Sequence, residues 1–201
     1  GQKTYNGVAI VSKHPINDVI YDIPDYDDVQ KRVISATVNG IRLICVYVVN
    51  GEVVDSEKYK YKLRWLEQLH NFVKTSLAVH DKVVVLGDFN IAPHDRDVYD
   101  PEKWQEQVLC STLERERWQQ LLELGLHDSF RIFNQDGGQY SWWDYRNFAF
   151  RRKHGLRIDH ILISNALKAQ TIDCSIDINP RKNERPSDHT PVILVVTPNF
   201  S

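Results

Sequence analysis

The stretch Val83-Val84-Val85-Leu86-Gly87-Asp88-Phe89-Asn90 runs apolar and then turns abruptly polar. A short, continuous apolar run closed by a glycine reads as a strand buried on both faces. Beyond it, Asp88 and Asn90 stand two residues apart, so an extended chain sends both side chains to one side. Gly87 lets the backbone bend and lets a ligand come close. A carboxylate beside an amide can orient a water and hold a phosphate oxygen. A plain Asx turn at a strand end uses the same residue types, so this stretch alone leaves both readings open.

Outward from it, short β-rich runs alternate with two amphipathic segments. Residues 33–38 and 41–49 flank Asn39-Gly40, a strong hairpin signal. Residues 8–12 form a short apolar run expected as a strand. Over 60–77, Leu63, Leu66, Leu69, Phe72 and Val73 recur at helical spacing. A second helix is expected over 112–124, with Ser111 as N-cap, Glu114 completing a capping box, and Gly125 ending it. Later strands are expected at 139–143, 157–164, 171–177 and 191–196. Hairpins plus a few helices predict two packed sheets covered by helices. Trp65, Trp104 and Trp118 are assigned to packing.

With 201 residues, 42% hydrophobic and 26% charged, the chain has the composition of one globular domain spanning 1–201. No run is long enough to span a bilayer. Cys45, Cys110 and Cys174 are an odd, scattered set, which predicts reduced thiols and a cytoplasmic protein. The net charge of −2 neither favours nor excludes a nucleic-acid partner, because a carboxylate-lined site lowers the sum while a local basic surface still meets phosphates.

Two further polar clusters interrupt apolar runs. In Gly155-Leu156-Arg157-Ile158-Asp159-His160-Ile161, the carboxylate of Asp159 sits among isoleucines, a costly place unless it is paired or bound. In Pro186-Ser187-Asp188-His189-Thr190-Pro191, His189 can donate to a phosphate oxygen or move a proton near neutral pH. Asp159 could fix that imidazole as the third member of a triad does.

These motifs, with Ser141-Trp142-Trp143-Asp144-Tyr145-Arg146, resemble the exonuclease III family of DNA-repair enzymes, within the endonuclease/exonuclease/phosphatase superfamily. The resemblance runs over nearly the whole chain. It implies an α/β fold, a four-layer α/β/β/α sandwich of two packed mixed β-sheets flanked by helices. It implies a divalent cation, Mg2+ or Mn2+, and double-stranded DNA with abasic sites or 3′ ends as partner. By resemblance, Asp88 aligns or deprotonates the attacking water, Asn90 orients the phosphate, and His189 contacts it with Asp159 behind. Tyr47 approaches the phosphate, Asn50 adds a polar contact, and Trp142 packs at the abasic sugar. Asp88, Asn90 and Asp188 lie at or near the metal. Between Asp88 and His189 as the base, the residues do not choose.

The family pattern begins with a strand bearing an Asn and another ending in a metal-binding Glu. Both precede the part that Gly1 onward matches, and Glu52 is no convincing substitute. A truncated chain lacking the family's first strands is therefore expected, with weak metal binding, little activity, and exposed sheet edges that could drive self-association. Arg146, Arg151, Arg152, Lys153 and Arg157, interleaved with aromatics, suit a loop touching a DNA backbone; Arg181, Lys182 and Arg185 form a later group. Two other readings compete: a different phosphodiesterase of the same superfamily, and a non-catalytic nucleic-acid-binding relative.

Overall fold

The computed structural model describes residues 1–197. The first strand is not the first apolar run. Residues 8–12 form no strand, and Val11 is 95% exposed. A ladder needs a neighbour's N–H and C=O groups, and among the described residues no strand runs beside 8–12. Instead β1 is Asn17–Tyr21, an exposed, bulged strand lying antiparallel to β2 (Val33–Val38). The Arg42 guanidinium donates to the Asp18 carbonyl at 2.6 Å and helps hold it there.

β2 turns into β3 (Ile41–Tyr47) through Asn39 and Gly40, at φ of +49° and +73°. Both central residues of a type I′ turn need positive φ, and Asn-Gly supplies it at low cost. Helix α1 (Glu57–Val79) follows, capped by Ser56, whose side chain accepts from the Tyr59 amide. It leads into β4 (Val83–Asp88), parallel to β3. A short α2 (Pro101–Trp104) precedes α3 (Thr112–Glu123), where the expected capping box between Ser111 and Glu114 is complete. Gly125, at φ of +96°, turns the chain out of the helix end. Then come β5 (Leu126–Asp128), α4 (Ser129–Phe133), β6 (Asp159–Ser164), α5 (Asn165–Lys168), β7 (Thr171–Ile176) and β8 (Val192–Val196).

The large sheet has the order β1-β2-β3-β4-β6-β5, and β7 and β8 make a second, antiparallel pair. On one face, Trp65, Leu66, Leu69 and Val73 of α1 and Trp118 and Leu121 of α3 pack on Ile44, Val46, Val83 and Val85. On the other, Val84, Ile161 and Ile163 meet Val192 and Leu194 of β8. The residues of β4 are thus apolar toward both layers, which is why the strand has no polar alternation. Two packed sheets with helices against the larger one give the expected mixed α/β sandwich. Three cysteines are free thiols. Among the described residues, no helix is long and apolar enough to cross a membrane.

Residues 139–143 do not form the expected strand. Trp142 makes single bridges to Leu156 and to His189 rather than a ladder. β6 also starts later than expected, because the Arg157 amide is taken by the Asp97 carbonyl at 2.9 Å. Arg157 is no surface cation: it is 1% exposed, and its guanidinium pairs with Asp97 and Asp128, both at 2.7 Å.

Candidate active site

Three strand ends converge. Tyr47 closes β3 and Asp88 closes β4 as register partners; Asp88 is in turn the register partner of Asp159, the first residue of β6. Gly87 makes this possible. It sits at φ of +137°, and a Cβ there would lie 2.0 Å from the Val46 carbonyl oxygen. No other residue fits that approach.

The backbone then folds back on itself. Asn90, 4% exposed and at φ of +49°, donates its amide N–H to Asp88 Oδ1 at 2.8 Å. Its side-chain Nδ2 donates to the Val48 carbonyl at 2.9 Å and to Asp88 Oδ2 at 3.2 Å. Asn50 Nδ2 donates to Asn90 Oδ1 at 3.1 Å. The Asx turn expected of Asp88 and Asn90 is present, and it turns the Asp88 carboxylate toward His189.

His189 arrives from the loop before β8. Its Nδ1 lies 2.8 Å from Asp159 Oδ2, and its Nε2 lies 4.0 Å from Asp88 Oδ2. Asp88, Asp159 and His189 offer ligand atoms that all fall within 4.8 Å of one another. Burial and then the Asp159 charge push the Asp88 carboxyl up to about 7. Burial pulls His189 down, but the Asp159 hydrogen bond and charge, with Asp88 and Asp188 behind them, outweigh it and raise the imidazole to about 9.

The other expected residues are distributed around this centre. Tyr47 lies under the Arg32 guanidinium, 4.8 Å above its ring. Asp188 does not join the cluster of three; its Oδ2 accepts from the Trp142 indole at 3.0 Å, and its carbonyl accepts from the Trp143 amide at 3.0 Å. Trp142 thereby stands beside the His189 loop. Arg146 is exposed and paired with Asp144 at 2.7 Å. Arg151 and Arg152 are exposed on the same loop, Arg151 resting 5.8 Å from the Phe148 ring centroid. Glu52 pairs with Lys58 at the surface.

Two residues at the site were given no role from the sequence. Ser141 Oγ accepts the successive amides of Ile158 and Asp159, each at 3.0 Å, and so sets the start of β6. Lys62 lies fully buried inside the site, bonded to the carbonyls of Asn50 and Asn90 and to Glu114. A serine before Trp142 and a lysine in a helical pattern look like surface residues until the contacts are seen.

The model of the Endonuclease/Exonuclease/phosphatase family matches residues 1–189. The chain belongs to the endonuclease/exonuclease/phosphatase family. Within that family it is 34% identical to exodeoxyribonuclease III of Haemophilus influenzae over 205 residues, covering 96% of this chain and 77% of that protein. Its fold is similar to the solved 3′-5′ exonuclease of Neisseria meningitidis, with TM-score 0.96 and 54% identity over 98% of this chain and 77% of that one. An AP endonuclease from Archaeoglobus fulgidus is similar at TM-score 0.88 and 36% identity, over 92% of this chain and 72% of that one. This endonuclease/exonuclease/phosphatase chain is thus an enzyme of the exonuclease III and AP endonuclease branch.

Proposed function

We propose that the chain is a metal-dependent DNA phosphodiesterase of base-excision repair, acting as a 3′-5′ exodeoxyribonuclease and abasic-site endonuclease in the cytoplasm. The observation that carries this is the Asp159–His189 pair facing Asp88 across the ends of β4 and β6. The similar proteins named as exodeoxyribonuclease III, 3′-5′ exonuclease and AP endonuclease support the substrate. A further similar structure, a Neisseria 3′ phosphatase bound to a product DNA hairpin, supports DNA ends in particular.

The electrostatics support a division of labour that the sequence left open. With its pKa at about 9, His189 is an imidazolium at neutral pH, a donor to a phosphate oxygen and not a base. Asp88, at the end of β4 and facing the imidazole, is placed to take a proton from the attacking water. Asn90 holds that carboxylate in place, and Asn50, bonded to Asn90 through one amide hydrogen, offers the other to the phosphate. Tyr47 adds a phenol, Trp142 an apolar wall for the abasic sugar, and Arg146, Arg151 and Arg152 cations for the flanking backbone.

The donor set fits a divalent cation: the Asp88 and Asp159 carboxylates and the His189 imidazole offer ligand atoms within 4.8 Å of one another. Asp88 would hold Mg2+ or Mn2+, which would supply charge neutralisation on the phosphate and support for the leaving 3′ oxygen; Asp188, bonded to the Trp142 indole, and Asn90, whose side-chain oxygen accepts from Asn50, lie outside the group of three.

The test is a pair of labelled duplexes, one with a recessed 3′ end and one with an abasic site, with Mg2+ or with chelator. Cleavage that needs the cation and falls about 100-fold or more in Asp88→Asn and in His189→Asn is expected. Cleavage indifferent to both substitutions, or turnover only of a small phosphodiester and never of DNA, would sink the reading.

A further inference from the structure

Lys62 is the one basic residue of α1 that is fully buried among the described residues. Its Nζ donates to the Asn90 carbonyl at 2.6 Å and the Asn50 carbonyl at 3.1 Å, and it pairs with Glu114. We propose that Lys62 is a positioning residue for the reaction, a single ammonium that sets the relative place of the two loops bearing Asn50 and Asn90. The proposal deepens the nuclease reading above and rests on it.

The two carbonyls belong to segments 40 residues apart, one leaving β3 and one leaving β4. Their side chains are bonded to each other, and Asn90 is bonded to Asp88. Lys62 therefore closes a ring: ammonium to both backbones, amide to amide, amide to carboxylate. The approach is close enough that Gly51, at φ of +96°, has only 3.2 Å between a would-be Cβ and the Lys62 side chain. Asn90 sits in a left-handed conformation, which asparagine adopts more readily than most L-residues. The Asp88 carboxylate restrains its N–H, and Lys62 restrains its C=O.

Glu114 fixes the ammonium in turn. It also accepts the amides of Leu109 at 3.0 Å and Ser111 at 3.1 Å and the Ser111 hydroxyl at 2.6 Å. The N-terminus of α3 thus anchors the lysine, and the lysine anchors the site. A buried cation with each contact to a carbonyl or carboxylate fixes geometry more tightly than apolar packing, because moving either loop leaves a charge without its partner.

Lys62→Met alone strands the Glu114 carboxylate, so the paired variant Lys62→Met/Glu114→Gln keeps the interior neutral. Two readouts are taken on the intact chain. The first needs no activity: side-chain amide resonances of Asn50 and Asn90 in a 15N-labelled sample. They should shift or broaden in the paired variant, while those of Asn71 and Asn165 stay put. Unmoved Asn50 and Asn90 resonances in the folded paired variant overturn the proposal, whatever the chain does to DNA. The second is cleavage of the recessed-end duplex with Mg2+: kcat should drop on the order of 10–100-fold with KM within about threefold. An equal kcat, or a rise in KM alone, also overturns it. A wild-type chain that cuts no DNA refutes the nuclease reading, and the resonances still decide the role of Lys62.

Discussion

Asp88 and Asp159 are register partners across antiparallel β4 and β6, so two carboxylates are held side by side with His189 bonded to one of them and facing the other. In Asp159→Asn the imidazole loses its charged acceptor and Asp88 loses its repulsive neighbour. Both pKa values should fall, His189 from about 9 and Asp88 from about 7. A metal-free NMR titration of the His189 ring proton measures it; a midpoint within half a unit of the wild type would contradict the assignment. For stability the sign is that of a raised histidine. The His189 contribution is full below its unfolded value, about 6.5, and is lost as pH rises through about 9.

Gly87→Ala should be among the most damaging single changes in the chain. The added methyl meets the Val46 carbonyl at 2.0 Å, within a register that β3 and β4 cannot relax without moving Tyr47 and Asp88. A loss of about 3 kcal/mol or more is expected, from backbone strain at positive φ combined with overpacking. Urea unfolding of the variant checks it, and a midpoint near the wild type would show that the strands separate more easily than their contacts imply.

Acid should unfold the protein in two stages. His160 is buried between Phe89 and Trp118, and burial, then Arg157, lowers it to about 4. Burial pushes Asp97 up, but Arg157 and Arg131 outweigh it and hold the carboxyl at about 2. Both folded values lie below the unfolded ones, so both contributions are present at neutral pH. That of His160 is lost between about 6.5 and 4, roughly 3 kcal/mol at most, and that of Asp97 between about 4 and 2. Urea midpoints measured from pH 7 to 3 should fall in that order. His160→Gln should flatten the upper stage only.

Ser111→Ala removes the N-cap of α3 and a partner of the Tyr59 hydroxyl at 2.6 Å. A cost of about 1–2 kcal/mol in thermal or urea unfolding is expected, with α1 and α3 unfolding together.

Arg151→Ala/Arg152→Ala should leave stability almost unchanged, since both side chains are exposed. If both cations meet phosphates, the slope of log K against log salt for duplex binding should shrink by about 1.8. An unchanged slope would take these residues off the DNA path.

What sequence could reveal followed from whether the cause was local. The Asn39-Gly40 turn, the Ser111–Glu114 cap and the apolar run of β4 each carry their reason within a few residues, and each lies where it was expected. Asp88, Asn90, Asp159 and His189 were legible as polar interruptions of apolar strands, and they come together. Arg157 was misplaced at the surface because its partners, Asp97 and Asp128, are 60 and 29 residues away. Lys62 was passed over for the same reason: its carboxylate is 52 residues distant. The run 8–12 was given a strand on composition, which cannot say whether a neighbour exists to pair with it.

The single bridges of Trp142 have a consequence for how this enzyme can change. Ser141 accepts the Thr190 amide at 2.8 Å, Trp142 holds Asp188, and Trp143 donates to the Asp188 carbonyl, so the histidine loop is tailored to the segment beside it. The same segment leads directly into the basic loop through Asp144 and Arg146. Swapping residues 141–153 for those of a relative, in order to retarget the enzyme, would therefore carry the imidazole along with it. Residues 141–153 and 186–190 are fitted to each other as one module, and loop grafts that import the first without the second will misplace the imidazole.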